Sequence, residues 1–185
     1  KNIRLVVDEC FLDLCPQGEE YKLTARINDN PELFLLRAFT KSFAMPGLRL
    51  GYGLCSDEVL LEKMQACGQP WSVAIPAQEA GIAALNEQEF LKESVAYISR
   101  ERKWLLAALE KLGIRCFGSQ ANYILFRLPR AFDLKERLLK KGILIRSCSN
   151  YRGLGADYYR IAVRRHWENE KLIEALAQVL GISGE

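Results

Sequence analysis

The sequence has 185 residues, of which 49% are hydrophobic and 26% are charged, and its formal net charge at pH 7 is +3. This composition is typical of a soluble globular protein, and the length suffices for one good core or two small ones. The basic residues are scattered and no apolar stretch approaches the roughly 20 residues that cross a bilayer, so neither nucleic-acid binding nor a membrane span is expected.

The first half of the chain alternates apolar runs with helical patterns. Near-continuous apolar runs at residues 3–8, 33–37 and 48–54 predict strands of a sheet that is covered on both faces. Asp57 is the predicted N-cap of a helix, and Pro76 begins another. The small-residue face predicted for this second helix comprises Ala80, Ala83, Ala84 and Leu85.

The second half consists of smaller alternating units. Residues 89–112 follow a helical pattern that Gly113 ends as a C-terminal cap. Further strands are predicted at 114–117, 122–127, 143–146 and 158–163, and further helices at 133–141 and 167–180. The change of pattern predicts a domain boundary near residue 88, with part of a larger α/β layer before it and a compact α+β unit after it.

The predicted sheet of the first half is short of covering elements. Three apolar strands within about 60 residues cannot shield their faces and edges with the two helices available. We therefore expect the sheet to belong to a larger one whose other strands precede residue 1. The start of the sequence, which lacks both a methionine and the features of a signal peptide, is consistent with a cytoplasmic chain that begins inside a domain.

A lysine flanked by hydroxyl side chains, in Thr40-Lys41-Ser42, follows the second predicted strand. An amine that forms a Schiff base must be available unprotonated, which a desolvated site with a nearby cation promotes. The hydroxyls can donate hydrogen bonds to a phosphate, and Arg49 can pair with it bidentately. Alone, Lys41 would be interpreted as a solvated loop lysine and Arg49 as a surface ion-pair partner.

Asp8 changes that interpretation. It ends the first predicted strand, and ligands of α/β sheets bind at the carboxyl ends of strands. Pyridoxal phosphate (PLP) acts as an electron sink only if its ring nitrogen stays protonated, and an aspartate opposite that nitrogen keeps it so. Taken by itself, Asp8 would be a helix cap or a loop acid; together with Lys41 and Arg49 it favours a PLP site.

Two blocks of sequence resemble the class I/II aminotransferases: Val7-Asp8-Glu9-Cys10-Phe11 and the run 36–52 around Lys41. The resemblance extends from residue 3 to about residue 180. It implies an α/β fold, the C-terminal part of a fold-type I PLP-dependent transferase. Residues 1–87 would then be the C-terminal portion of the PLP-binding large domain, and residues 88–185 the small C-terminal α+β domain.

The same resemblance implies roles for individual residues. Asp8 would pair with the pyridine nitrogen, Lys41 would form the Schiff base with PLP, and Thr40 and Arg49 would bind the cofactor phosphate. Two arginines of the second half match substrate-binding positions of the family. They are Arg160, for the α-carboxylate, and Arg146, for the substrate phosphate.

Within the family, the sequence resembles the histidinol-phosphate aminotransferases and, in three features, the threonine-phosphate decarboxylases of cobalamin synthesis. The three features are Pro70-Trp71-Ser72-Val73, the run 145–154 and Phe11. In the aminotransferases a tyrosine usually occupies the position of Phe11, whose ring cannot donate a hydrogen bond to the cofactor O3′. Ala38 is a second departure, since the family often has a hydroxyl residue there.

The function implied by these features is decarboxylation of L-threonine O-3-phosphate to aminopropanol phosphate by the intact protein, as a homodimer. Two alternatives stay open: an aminotransferase acting on histidinol phosphate or another amino acid, and a PLP-binding sensor domain of a regulator. The glycine-rich phosphate cup of the family and the aromatic that stacks on the PLP ring would lie upstream of residue 1. We therefore expect the 185-residue chain alone to be inactive.

The remaining candidates favour structural roles. Six cysteines occur without CxxC spacing or neighbouring histidines, which predicts reduced, mostly buried thiols and neither a disulfide framework nor a metal site. The single histidine, His166, stands at a predicted helix start, where a surface or capping role is expected.

Overall fold

The computed structural model describes residues 3–129 and 132–182. The described residues divide into two compact units, one ending at Val95 and the other beginning at Ala96. The division falls within a long helix, C-terminal to the predicted boundary at 87/88.

The first unit contains a three-stranded sheet of order β1-β2-β3, formed by Leu5–Asp8, Leu33–Ala38 and Gly51–Leu54. Strands β1 and β2 are parallel, with Asp8 opposite Leu36. Strands β2 and β3 are antiparallel, with Ala38 opposite Gly51. The carboxyl ends of β1 and β2 and the amino end of β3 therefore meet at one edge of the sheet.

Helices lie between these strands and after the last of them. The α-helices are α1 (Gly18–Tyr21), α2 (Phe39–Ser42), α3 (Glu58–Cys67) and α4 (Ile75–Leu85), and the 3-10 helices are Leu12–Leu14, Thr24–Arg26 and Pro46–Leu48. The predicted cap of α3 is confirmed, since Asp57 Oδ1 accepts a hydrogen bond from the Leu60 backbone N–H at 3.0 Å.

Helix α4 buries only part of its predicted small-residue face, since Ala84 is buried and Ala80 is half-buried. Its buried residues are Ala77, Gly81 and Ala84, whereas Ala83 and Leu85 are exposed. A Cβ atom at position 81 would lie 3.9 Å from the ring of Phe39 and would collide with the side chain of Leu50. Close packing against the segment around α2 thus selects the face that carries Gly81.

The first half of β2 is buried through Leu33, Phe34 and Leu35. In contrast, Leu5 and Val6 of β1 are 55% and 58% exposed. Within the described part of the chain, the expected cover on both faces is therefore found only at the start of β2, because β1 and β3 are edge strands.

The second unit contains an antiparallel sheet of order β4-β5-β7-β6. The two units divide within α5 (Gln88–Lys111). The elements that follow it are β4 (Arg115–Cys116), β5 (Tyr123–Arg127), α6 (Leu134–Leu139), β6 (Arg146–Ser147), β7 (Tyr158–Ala162) and α7 (His166–Leu180). Helices and sheet enclose a continuous apolar core that includes Leu105, Leu109, Ile124, Phe126, Leu134, Leu138, Ile161 and Leu176. The predicted α/β class is confirmed.

Two strand predictions are too long, each for a local reason. Before β3, Arg49 adopts a left-handed backbone conformation at φ 55°, which no strand residue can have. Before β6, Gly142 has φ 75° and the Ile143 N–H donates to the Leu138 carbonyl at 3.0 Å, so residues 142 and 143 terminate α6. Gly113, at φ 70°, ends α5 as predicted.

In residues 3–129 and 132–182, no helix combines the length and the apolarity that crossing a membrane requires. The six cysteines are free thiols, of which Cys148 is buried, Cys67 is exposed and the others are half-buried. Burial of the thiols is thus less extensive than expected from the sequence.

Candidate active site

Asp8 and Lys41 lie at the same edge of the first sheet. Asp8 is the last residue of β1, and Lys41 belongs to α2, which follows the parallel strand β2 directly. The ammonium Nζ of Lys41 lies 5.4 Å from the centre of the Phe11 ring, within the range of a cation–π contact. The fold therefore brings together the two residues on which the sequence hypothesis rests.

The carboxylate of Asp8 is held in its charged form by Cys10. Its pKa lies below the ordinary value because the Cys10 side chain and, next, the Cys10 backbone N–H donate hydrogen bonds to it. The backbone bond to Oδ1 measures 2.9 Å. Burial, and then the neighbouring Asp8, raise the pKa of the Cys10 thiol to about 11. Asp8 is thus an anionic acceptor at neutral pH.

The candidates for binding the cofactor phosphate differ in their exposure to solvent. Thr40 is half-buried in α2, and Arg49 is exposed at the same edge, just before β3, with its Nη1 donating to the Pro46 carbonyl at 2.9 Å. The left-handed conformation of Arg49 is sparsely populated by residues other than glycine, and such conformations often occur at ligand sites. Ser42 is buried and its hydroxyl donates to Asp13, so of the two hydroxyls beside Lys41 that of Ser42 is engaged within the protein.

A buried ion pair that the sequence did not reveal supports this edge. Glu9, the neighbour of Asp8, is 4% exposed, and its Oε2 accepts from Nε and Nη2 of Arg37 at 2.9 and 2.7 Å. Its other oxygen accepts from the Leu23 N–H at 3.0 Å. The sequence feature that could have indicated this pair is Arg37 in the apolar run 33–37, because a charge in a buried strand requires a partner.

The donor set of the edge fits PLP. An ionised carboxylate, an amine, a hydroxyl and a guanidinium match the protonated ring nitrogen, the aldehyde and the phosphate of that cofactor. Both Asp8 and Lys41 are exposed, however. The desolvation expected around the lysine is therefore absent from the described part of the chain, because β1 is an edge strand there.

The second unit holds the two substrate-binding candidates side by side. Arg146 of β6 and Arg160 of β7 are direct cross-strand partners. Their guanidinium carbons lie 5.6 and 5.2 Å from the ring centres of Tyr151 and Tyr123, respectively. In residues 3–129 and 132–182, neither guanidinium has a carboxylate oxygen within 4.0 Å. Two adjacent cations with no carboxylate beside them in this part of the chain form a favourable site for an anionic ligand.

His166 has a packing role within the second unit. It opens α7, and its Nδ1 lies 2.9 Å from Oε2 of the buried Glu101 on α5. Asn169 donates to the same oxygen at 3.2 Å, and the ring of Trp104 meets the His166 ring edge-on. His166 thus joins α7 to α5 instead of lying free on the surface.

Comparison with known proteins identifies the class to which this fold and these residues belong. Residues 1–176 match the family model of the class I and II aminotransferases. The chain belongs to this family, as predicted from the blocks around Asp8 and Lys41.

The chain is similar to two kinds of enzyme within this family. The chain is 40% identical to a threonine-phosphate decarboxylase of Salmonella typhimurium over 97% of its own length and 49% of that protein. It is 38% identical to a histidinol-phosphate aminotransferase of Nitratidesulfovibrio vulgaris, covering 95% of this chain and 46% of that protein. The chain thus spans about half the length of the curated relatives it matches.

Solved structures agree. The histidinol-phosphate aminotransferase of Clostridium acetobutylicum superimposes with a TM-score of 0.88 at 34% identity, over 95% of this chain and 54% of that one. The L-threonine-O-3-phosphate decarboxylase of Porphyromonas gingivalis gives a TM-score of 0.86 at 28% identity, over 96% and 55%. The fold expected from the family resemblance is confirmed.

Proposed function

We propose that this chain carries the cofactor lysine of a PLP-dependent enzyme and that the intact protein decarboxylates L-threonine O-3-phosphate. The observation that carries the proposal is the meeting of Asp8 and Lys41 at one edge of a sheet, in a chain of the aminotransferase family. Bound PLP supplies an electron sink for the charge that develops at the substrate Cα. The intact protein is further proposed to be a cytoplasmic homodimer.

Each residue at the edge has a defined task in this proposal. The anionic Asp8 accepts a hydrogen bond from the cofactor ring nitrogen and keeps it protonated. Lys41 would hold the cofactor through its amine, and the same amine is the group that would move a proton to or from the reacting carbon. Thr40 and Arg49 would hold the cofactor phosphate, Thr40 through its hydroxyl and Arg49 through its positive charge.

The second unit supplies the substrate contacts. Arg160 binds the α-carboxylate, and Arg146 binds the phosphate of the substrate. Their cross-strand pairing keeps the two anionic groups at a set separation, which orients the bonds at the substrate Cα. In this scheme residues 1–87 contribute to the PLP-binding domain and residues 88–185 form the small domain.

An aminotransferase acting on histidinol phosphate is the second candidate, because a relative of that kind is nearly as similar, at 38% identity. Both reactions would use the same residues. Phe11 favours the decarboxylase, since the family resemblance puts a tyrosine at this position in the aminotransferases.

One assay separates the candidates. The intact protein is incubated with L-threonine O-3-phosphate, and release of CO₂ is scored against transfer of the amino group to a 2-oxo acid. Decarboxylation supports the proposal, and transfer without CO₂ supports the aminotransferase. Borohydride reduction followed by peptide mapping should place the pyridoxyl group on Lys41; a label on another lysine would contradict the site.

A further inference from the structure

Ser42, the residue after Lys41, is tied to the segment that follows Asp8. Its hydroxyl donates a hydrogen bond of 3.0 Å to Oδ2 of Asp13, 29 residues earlier in the chain. Ser42 is 3% exposed, so water does not compete for this bond. Asp13 lies in the 3-10 helix Leu12–Leu14, directly after Phe11.

The helix that carries Lys41 cannot hold its own position. Helix α2 has four residues, and its N-cap, Ala38, makes no side-chain capping hydrogen bond. The bonds that close its C-terminal end include those from Phe43 N–H to the Phe39 carbonyl at 3.2 Å and from Ala44 N–H to the Lys41 carbonyl at 3.3 Å. A single turn is unstable by itself, so contacts with the rest of the protein must set its orientation.

Asp13 is itself held from the opposite side. Its Oδ1 lies 3.0 Å from Nζ of Lys22, which also pairs with the exposed Glu19. The two oxygens of Asp13 thus have separate partners, Lys22 for one and Ser42 for the other. The carboxylate links a fixed cation to the lysine-bearing turn.

We propose that Asp13 is a positioning residue that orients Lys41 by binding Ser42. The tie joins the segment of Asp8 and Phe11 to the turn of Lys41, so it sets the distance between the two halves of the cofactor edge. This inference rests on the proposed function only in assigning the cofactor to Lys41. The hydrogen bond and its effect on α2 can be tested without the cofactor.

The test uses the intact protein and a set of variants. Ser42→Ala and Asp13→Ala each remove the hydrogen bond between the two side chains. The double variant combines both changes and shows whether their effects add. Asp13→Asn keeps an acceptor oxygen for Ser42 while weakening the attraction to Lys22. Glu19→Gln is the matched control, because it changes the other partner of Lys22 and leaves Asp13 untouched.

Two quantities are measured. The first is hydrogen exchange of the Phe43 and Ala44 amides in the cofactor-free protein, which reports on α2 alone. The second is the pair of steady-state constants, kcat and KM. Misplacement of Lys41 should lower kcat on the order of tenfold and change KM little, since the substrate contacts are elsewhere.

The expected pattern is specific to the tie. Both amides should exchange faster in Ser42→Ala and Asp13→Ala, and kcat should fall equally in both, with no further loss in the double variant. Asp13→Asn should retain most of kcat, and Glu19→Gln should behave as wild type. Unchanged exchange and kcat in Ser42→Ala, or additive losses in the double variant, would overturn the inference. A borohydride label away from Lys41 would instead overturn the proposed function, whatever the exchange shows.

Discussion

Arg146 and Arg160 lie directly opposite each other on the neighbouring antiparallel strands β6 and β7. Like charges in this relationship repel, at a cost of roughly 0.2–1 kcal/mol. Each guanidinium lies against a tyrosine ring. An anion that joined the two guanidinium groups would relieve this repulsion.

Arg146→Ala should raise KM for L-threonine O-3-phosphate steeply in the intact protein and affect unphosphorylated threonine far less, because only the phosphorylated substrate loses a partner. Arg160→Ala should impair both substrates, since both carry the α-carboxylate. Steady-state kinetics on the two substrates measure the effect.

Arg115→Ala is the matched control, since it removes an exposed arginine from β4 of the same sheet. A surface arginine of this kind contributes at most about 1 kcal/mol and should leave KM unchanged. Equal losses for both substrates in Arg146→Ala would remove the phosphate assignment.

Asp8→Asn in the intact protein should keep the fold and lose most of its turnover. The amide oxygen can still accept from the Cys10 N–H, whereas the charge proposed to keep the cofactor ring protonated is gone. Loss of one charge-assisted hydrogen bond is worth roughly 1.5–3 kcal/mol, and the electron-sink chemistry should add to that.

The pH profile gives a second check on Asp8. Its pKa is lowered from 3.8, so protonation of Asp8 should limit turnover only below that pH. The stabilisation that comes with the lowered pKa is present above pH 3.8 and is lost as the pH falls through the lower value of the folded state.

Asp29→Asn, at an exposed position, serves as the control for Asp8→Asn. Near-normal turnover in Asp8→Asn would make Asp8 merely structural.

Cys67 should react with iodoacetamide before Cys10 and Cys116 at pH 8. Cys67 is exposed, whereas burial is the main cause that raises the pKa of the other two thiols to about 11, and only thiolates react quickly. Mass spectrometry of the alkylated peptides gives the order. The order should disappear in denaturant, and early labelling of Cys10 would contradict its raised pKa.

The same shifts have a consequence for stability at high pH. The pKa of Cys10 and of Cys116 in the folded protein exceeds the ordinary 9.0. Their contribution to the free energy of unfolding is therefore complete below pH 9.0 and is lost as the pH rises to about 11.

Gly53→Ala should destabilise the first unit by about 1–3 kcal/mol, because overpacking displaces buried side chains. A Cβ atom at position 53 would lie 2.7 Å from Cε1 of the buried Phe34 ring. Denaturant unfolding of the intact protein measures the loss. Gly118→Ala, where no atom lies within 4 Å of the added Cβ, should change stability by less than about 0.5 kcal/mol. Equal effects of the two changes would contradict the packing.

Proteolysis of the 185-residue chain should cut first before residue 60, since Leu5 and Val6 of β1 are exposed whereas the second unit has a large buried core. Fragments are identified by mass spectrometry. Uniform resistance along the chain would show that the open edge of β1 is closed in another way, for example by self-association.

Local signals predicted much of this fold. The cap at Asp57 and the terminator at Gly113 act within a few residues of their own positions, so the sequence pattern reveals them. The lysine proposed to carry the cofactor could be singled out in the same way, because Thr40 and Arg49 stand close to it in the chain.

Contacts between distant segments could not be predicted in the same way. The bond from Ser42 to Asp13 depends on the parallel pairing of β1 with β2, which no local pattern specifies. The pair of Glu9 and Arg37 depends on the same pairing. The left-handed turn at Arg49 was missed because its apolar neighbours have the pattern of a strand.

The meeting of three strand ends at one edge would link the stability of the first unit to a ligand bound there. A molecule that contacts Asp8, Lys41 and Arg49 together would bridge β1, β2 and β3 at their common end. By mass action, a ligand present at about 100 times its Kd adds about 2.7 kcal/mol to the free energy of unfolding. Supply of the cofactor would then govern how long the folded protein survives in the cell, as well as how fast it turns over.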